Sequence, residues 1–181
     1  TMNLHRKRTI GYTVIITLGL FGWVACINKT PVKVRGYQPV YLAADSAEII
    51  TSLPGRSIRN GGKIYAYKNR LFQMETGSGI HVIDANNPSQ PTKLGFIAVP
   101  GCSELSIQND VLYTDNFRDL VGIDISQFPD IELRSRLNQV FPGANQEFPP
   151  YTGIQFECVD PAKGYVVNWI ETELTDPKCQ R

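Results

Sequence analysis

The sequence predicts an all-β chain organised as two four-stranded antiparallel units, and three observations carry that reading. First, the chain repeats itself at a spacing near 40. Ile83-Asp84 matches Ile123-Asp124 at 40, Leu71 matches Leu112 at 41, Pro88 matches Pro129 at 41, and Pro100-Gly101 matches Pro142-Gly143 at 42. Second, each unit holds four strand-like runs: KIYAYK, RLFQMET, GIHVIDA and KLGFIAV, then ELSIQ, VLYTD, LVGIDI and IELRSRL. Third, the breaks between runs (Lys-Asn, Gly-Ser-Gly, Asn-Asn-Pro, Asn-Asp, Pro-Asp) are turn chemistry of hairpin length. A period near 40 with four strands per repeat describes a propeller blade. The expectation is therefore a partial β-propeller of about two blades over residues 62–143. Such units cannot bury an apolar face alone and must stack on neighbours.

The elements follow in chain order. Residues 1–25 open with His5, Arg6, Lys7 and Arg8 and continue as an apolar run to Ala25, the order of a secretory signal. The run from Ile10 to Ala25 is shorter than the roughly 20 residues a spanning helix needs. Cys26 follows directly. A Cys in that place resembles the acylation site of bacterial lipoproteins, where the thiol takes a diacylglyceryl group, although Trp23 stands where Leu is usual. Residues 26–42, beginning INKTPVKVRGYQP after the Cys, lack amphipathic period and read as a tether. Residues 43–61 read as a lead-in with a short helix in AADSAEIITSL, ended by Leu53-Pro54-Gly55. Residues 144–181 read as a loop and one or two strands extending into a missing blade, the chain being taken as the N-terminal part of a longer propeller. Its last residues, DPKCQR, offer no strand to pair with the N-terminal one.

Composition bounds the function. The 181 residues carry a formal charge of +1, with 42% apolar and 10% aromatic residues, as in a globular chain. Without residues 1–25, 15 basic residues face 17 acidic ones, a net charge of −2 with no basic stripe. Nucleic acid is excluded as a partner on that ground. Of the thiols, Cys158 and Cys179 flank a turn signal and a strand candidate, so a disulfide between them is the expected pairing in an exported chain. Cys102 sits in a run that reads as buried. No close-set Cys pair occurs, and His5 and His81 lie far from any thiol, so neither a metal nor a cofactor is expected.

Asp84 and Asp124 each end the third strand before a Pro-containing turn. An Asp there closes an Asx-type turn, so their recurrence has a structural cause. His81 aligns with Val121, which marks it as a strand histidine with no chemical duty. Glu75 and Asp115, closing the second strand of each unit, are the candidate ligand-facing acids, because strand ends lie at the channel or rim. No nucleophile elbow, HExxH or Gly-rich phosphate loop occurs, and no catalytic residue is assigned.

The stretches LFQMETGSGIHVIDANNPSQPTKLGFIAVPG and VLYTDNFRDLVGIDISQFPDIE resemble the LVIVD-repeat β-propeller proteins, and in particular the LVIVD-containing lipoproteins of Bacteroidota-type bacteria. The resemblance covers roughly residues 37–143. Gly122 inside the second unit's apolar strand, and Gln127-Phe128 before its Pro, depart from the pattern. The resemblance implies an exported lipoprotein of the bacterial outer membrane, facing periplasm or cell surface and held to the membrane by its N-terminal lipid. Three functions are compatible: a binding or scaffold module for an envelope protein or glycan, a periplasmic enzyme with its catalytic groups mostly in other blades, or a structural subunit of an envelope complex. The first is expected.

Overall fold

A computed structural model describes residues 30–142 and 147–181; the expected signal segment and Cys26 lie outside the described residues. Residues 31–181 form one compact unit of three sheets, whose regular elements are almost all strands. The all-β class stands. Eight strands correspond to the two repeats. In the first, β3 (Gly61–Tyr67), β4 (Arg70–Glu75), β5 (Gly79–Asp84) and β6 (Thr92–Ala98) form an antiparallel meander, extended beyond β6 by β2 (Thr51–Leu53). In the second, β7 (Leu105–Gln108), β8 (Val111–Asn116), β9 (Asp119–Asp124) and β10 (Glu132–Leu137) repeat that meander. Both central residues of the β7–β8 turn, Asn109 and Asp110, have positive φ, the left-handed conformation that two-residue hairpin loops require and that Asn and Asp tolerate.

Register decides how the two sheets meet. In the first sheet Phe72 lies opposite Val82 and Met74 opposite Ile80, and all four enter the core. In the second, Leu112 lies opposite Ile123 and Thr114 opposite Val121, and the apolar three enter the same core. Strand side chains alternate between faces with period two. Leu112 and Ile123 are the counterparts of Leu71 and Ile83, which point to the other face of the first sheet. Each repeat thus offers a different face to the shared core, so the stacking is head to tail, not face to identical face. Gly95 belongs to this packing: a Cβ there would stand 2.6 Å from the Phe128 ring.

Three parts of the chain differ from expectation. Residues 33–42, expected as tether, are a ten-residue strand, β1 (Lys33–Leu42). Its pattern is hidden by Gly36 and Pro39, residues ordinarily depleted from strand interiors. Both fit their surroundings. A Cβ on Gly36 would lie 2.5 Å from the Gln155 carbonyl, and β11 (Gln155–Phe156) pairs β1 only at Tyr37, short of Pro39. The expected helix is a single turn, α1 (Ala44–Ala47), and the β-branched Ile-Ile-Thr run after it leads into β2, paired to β6.

The third correction concerns the C-terminal part. β12 (Tyr165–Thr175), upstream of the final DPKCQR, pairs with β1 from Lys33↔Thr175 to Leu42↔Tyr165, so the region expected to extend into a missing blade pairs instead with the N-terminal strand. With β11 and β13 (Cys179–Gln180), the third sheet has the order β12-β1-β11-β13. It buries its own small core, in which Phe156 meets Trp169 edge-on at 5.5 Å. Residues 147–181 therefore return to the start of the described chain.

A disulfide joins Cys158 to Cys179 with Cα atoms 5.3 Å apart, closing a separation of 21 residues. In the chain-entropy account a loop of that length stabilises by about 3 kcal/mol. The double variant Cys158→Ser/Cys179→Ser should therefore lose about that much in denaturant unfolding. An unchanged midpoint would show that the third sheet holds without the bond.

Candidate functional site

The two repeat sheets have two rims, and the chain treats them differently. The first rim lies at the ends of β4 and β8. Here the expected pairing of Glu75 with Asp115 is corrected by register. Glu75 lies opposite Gly79 and Asn116 opposite Asp119, each the last pair of its hairpin, so Asn116 is the counterpart of Glu75 and Asp115 that of Met74. The two acids point to different faces.

Both acids are buried and already bonded within the chain. Glu75 is buried, its Oε2 2.6 Å from His81 Nε2 and its Oε1 3.0 Å from Arg56 Nη2. Burial alone pushes the Glu75 carboxyl up. The His81 hydrogen bond, the Arg56 charge and the Arg59 backbone N–H outweigh it and hold the group below its ordinary value. Asp115 accepts from the Ser103 N–H at 2.7 Å, the Ser103 hydroxyl at 2.7 Å and the Glu104 N–H at 2.9 Å, organising the loop between repeats. A carboxylate so bonded has little capacity left for another donor.

His81 is fully buried, more than a half-buried strand histidine would be, because its ring fills the face of the first sheet against Phe96 at 4.8 Å. Its Nε2–H donates to Glu75, and Nδ1 has no hydrogen-bond partner among the described residues. Arg56 completes the group by lying 3.8 Å over the Phe96 ring. Asn116 does related work in the second sheet, its amide donating to the Ala47 and Pro100 carbonyls and its oxygen accepting from Arg136. Arg136 in turn donates to the Glu48 carbonyl. Equivalent strand ends thus fasten the lead-in, residues 44–60, across this rim. The rim is covered.

Cys102 lies beside this network, buried, with Sγ 3.4 Å from Met74 Sδ. Burial, with the Asp115 charge adding to it, pushes the thiol up to about 12, which removes it as a nucleophile near neutral pH.

The second rim lies where β4 and β8 begin. Asp84 Oδ1 accepts from the Asn86 N–H at 2.9 Å and from Asn86 Nδ2 at 2.8 Å. Asp124 Oδ1 accepts from the Ser126 N–H at 2.8 Å, and its other oxygen pairs with Arg134. These are Asx turns. Hydrogen bonds from Ser126 hold the Asp124 carboxyl below its ordinary range, and Arg134 adds to the effect. The two sheets are tied here by Lys68, whose Nζ lies 2.6 and 2.8 Å from the Asp110 oxygens, and by the Asp110 N–H, which donates to the Tyr67 hydroxyl at 3.0 Å.

Between the sheets at this second rim a groove of about 430 Å³ opens, lined by Tyr67, Lys68, Asn69, Arg70, Asp84 and Asn86 over the buried Phe72. That volume falls in the range of small-ligand sites. A cleft of about 640 Å³ lies between the third sheet and the β9–β10 hairpin, with Phe148, Phe156 and Val166 in its wall. No group of three or more His, Cys, Asp or Glu side chains suited to a metal occurs among the described residues.

Arg70 was legible in the sequence only as the first residue of a strand. Its place on the groove follows from the meander, which brings the β3–β4 turn beside the Asx turn of Asp84. Comparison with protein-family models, with curated proteins and with solved structures finds no match for this chain.

Proposed function

We propose that the chain is part of an exported β-propeller, anchored to the bacterial outer membrane through a lipid on Cys26, that works by binding or scaffolding and not by catalysis. One observation carries the propeller part. The two repeat sheets are consecutive meanders stacked head to tail, the relation between successive blades. The resemblance of both repeats to LVIVD proteins supports it, as does the contact between their first strands, where Tyr65 donates to the Ile107 carbonyl at 3.4 Å.

The binding reading rests on what the acidic groups do. Glu75, Asp84, Asp115 and Asp124 are each engaged in holding a turn, a loop or the lead-in, while the groove at the second rim keeps polar groups at its surface. A periplasmic enzyme using Glu75 or Asp115 as its acid would first have to detach that carboxylate from its partners. The partner expected is an envelope glycan or protein.

The anchor is tested by labelling cells with a fatty-acid analogue. Wild type should carry the label into the outer-membrane fraction, and Cys26→Ser should not. Equal labelling of both would remove the lipid anchor from this reading. Incubating the full chain with envelope glycans should give retention without a new product; turnover would favour the enzyme reading.

A further inference from the structure

We propose that the groove at the second rim binds a saccharide bearing a carboxylate, a uronic acid in its simplest form, with that carboxylate held by Arg70. This deepens the binding-module reading and rests on it. The charges in the groove are unequally engaged. Lys68 is paired with Asp110, and Asp84 carries Asn86 on one oxygen. Arg70, half-buried at the groove wall and directly opposite Asp84 in the sheet, makes no side-chain hydrogen bond or ion pair among the described residues, and its guanidinium stands 5.6 Å from the Phe128 ring centroid. A guanidinium presents a planar fork of donors that matches a carboxylate in bidentate fashion, and a cation–π contact at the edge of its range leaves those N–H groups free.

Around Arg70 the groove offers what sugar hydroxyls require. The Asn69 amide makes no side-chain hydrogen bond among the described residues, Asn86 keeps its carbonyl oxygen, and Asp84 keeps its second carboxylate oxygen. Hydroxyls act as donor and acceptor together, so mixed amide and carboxylate groups suit them. A bare phosphate would use Arg70 and leave the other polar groups unmatched. An acidic peptide would bring backbone groups that pair along a strand edge, whereas this groove is bounded by two turns.

The test uses the full chain in detergent, with glucuronate and galacturonate as probes and glucose and galactose as their neutral counterparts, followed by calorimetry and ligand-observed NMR. A uronate should bind saturably, its neutral counterpart more weakly, and Arg70→Gln should weaken uronate binding about ten-fold or more. Asn69→Ala, in an exposed turn, reads the same groove should Arg70→Gln fail to fold, and should also weaken binding. No uronate binding, equal binding of the neutral sugars, or a glutamate-rich peptide binding through Arg70 in place of the uronates would each overturn the proposal. Uronate binding untouched by both variants would place the site elsewhere, leaving the binding module standing without this groove.

Discussion

Glu75→Ala is expected to destabilise the protein by about 3 kcal/mol, at the lower end of the 3–5 kcal/mol typical of breaking a buried ion pair. The low end applies because Arg56 keeps 38% of its side chain exposed and can turn to water, whereas His81 cannot. The variant leaves a buried imidazole unpaired and frees residues 54–60 from the first rim. Glu75→Gln, which keeps one acceptor for His81, should lose less. The pH dependence follows in sign. The folded Glu75 carboxyl sits below its ordinary value of 4.5, so its contribution is fully present above that value and is lost as pH falls through the lower folded value. Asp124, also held low, contributes with the same sign. Wild type should therefore lose stability on acidification below about pH 4.5, and Glu75→Ala should show a shallower loss over that range. Denaturant midpoints at pH 7 and pH 3.5 read both effects. Equal slopes for the two proteins would mean that Glu75 is not held by His81 and Arg56 in solution.

Phe72→Ala should cost about 3–5 kcal/mol, the transfer term plus a cavity between the two repeat sheets. Phe72 is fully buried, on the face of the first sheet that receives Leu112 and Ile123 from the second. Its loss removes contacts from both sheets at once, and neighbours fixed in strands relax little. Leu137→Ser is the comparison: Leu137 is 58% exposed on an edge strand, and a change there should stay within about 0.5 kcal/mol. Near-equal melting temperatures for the two variants would show that the sheets do not share a core. A drop confined to Phe72→Ala, of roughly 10 °C for a chain of this size, is the expected result.

Much of this architecture was legible without coordinates. The eight repeat strands fall within about two residues of the runs read from alternation and turn chemistry, from Gly61–Tyr67 to Glu132–Leu137, because each is a local pattern with a local stop. Asp84 and Asp124 were legible for the same reason, since an Asx turn spans only two residues. Asp115 closes the second run as the sequence delimits it, but β8 continues to Asn116, which takes the place of Glu75. A shift of one position moves a side chain to the opposite face, and only cross-strand register reveals it.

What the sequence by itself determined is the set of short-range features: the repeat, its strands, its turns, and a cysteine spacing compatible with the Cys158–Cys179 disulfide. Tertiary structure alone decided the rest. It made Lys33–Leu42 a strand despite Gly36 and Pro39, because β12, more than 120 residues further along the chain, supplies the partner. It turned Glu75 inward onto His81 and Arg56, and it set Arg70 at a groove with its side chain in no ion pair among the described residues. Each of these depends on groups distant in sequence and near in space. Pairing energy of that kind leaves no local pattern, so propensity and periodicity cannot register it.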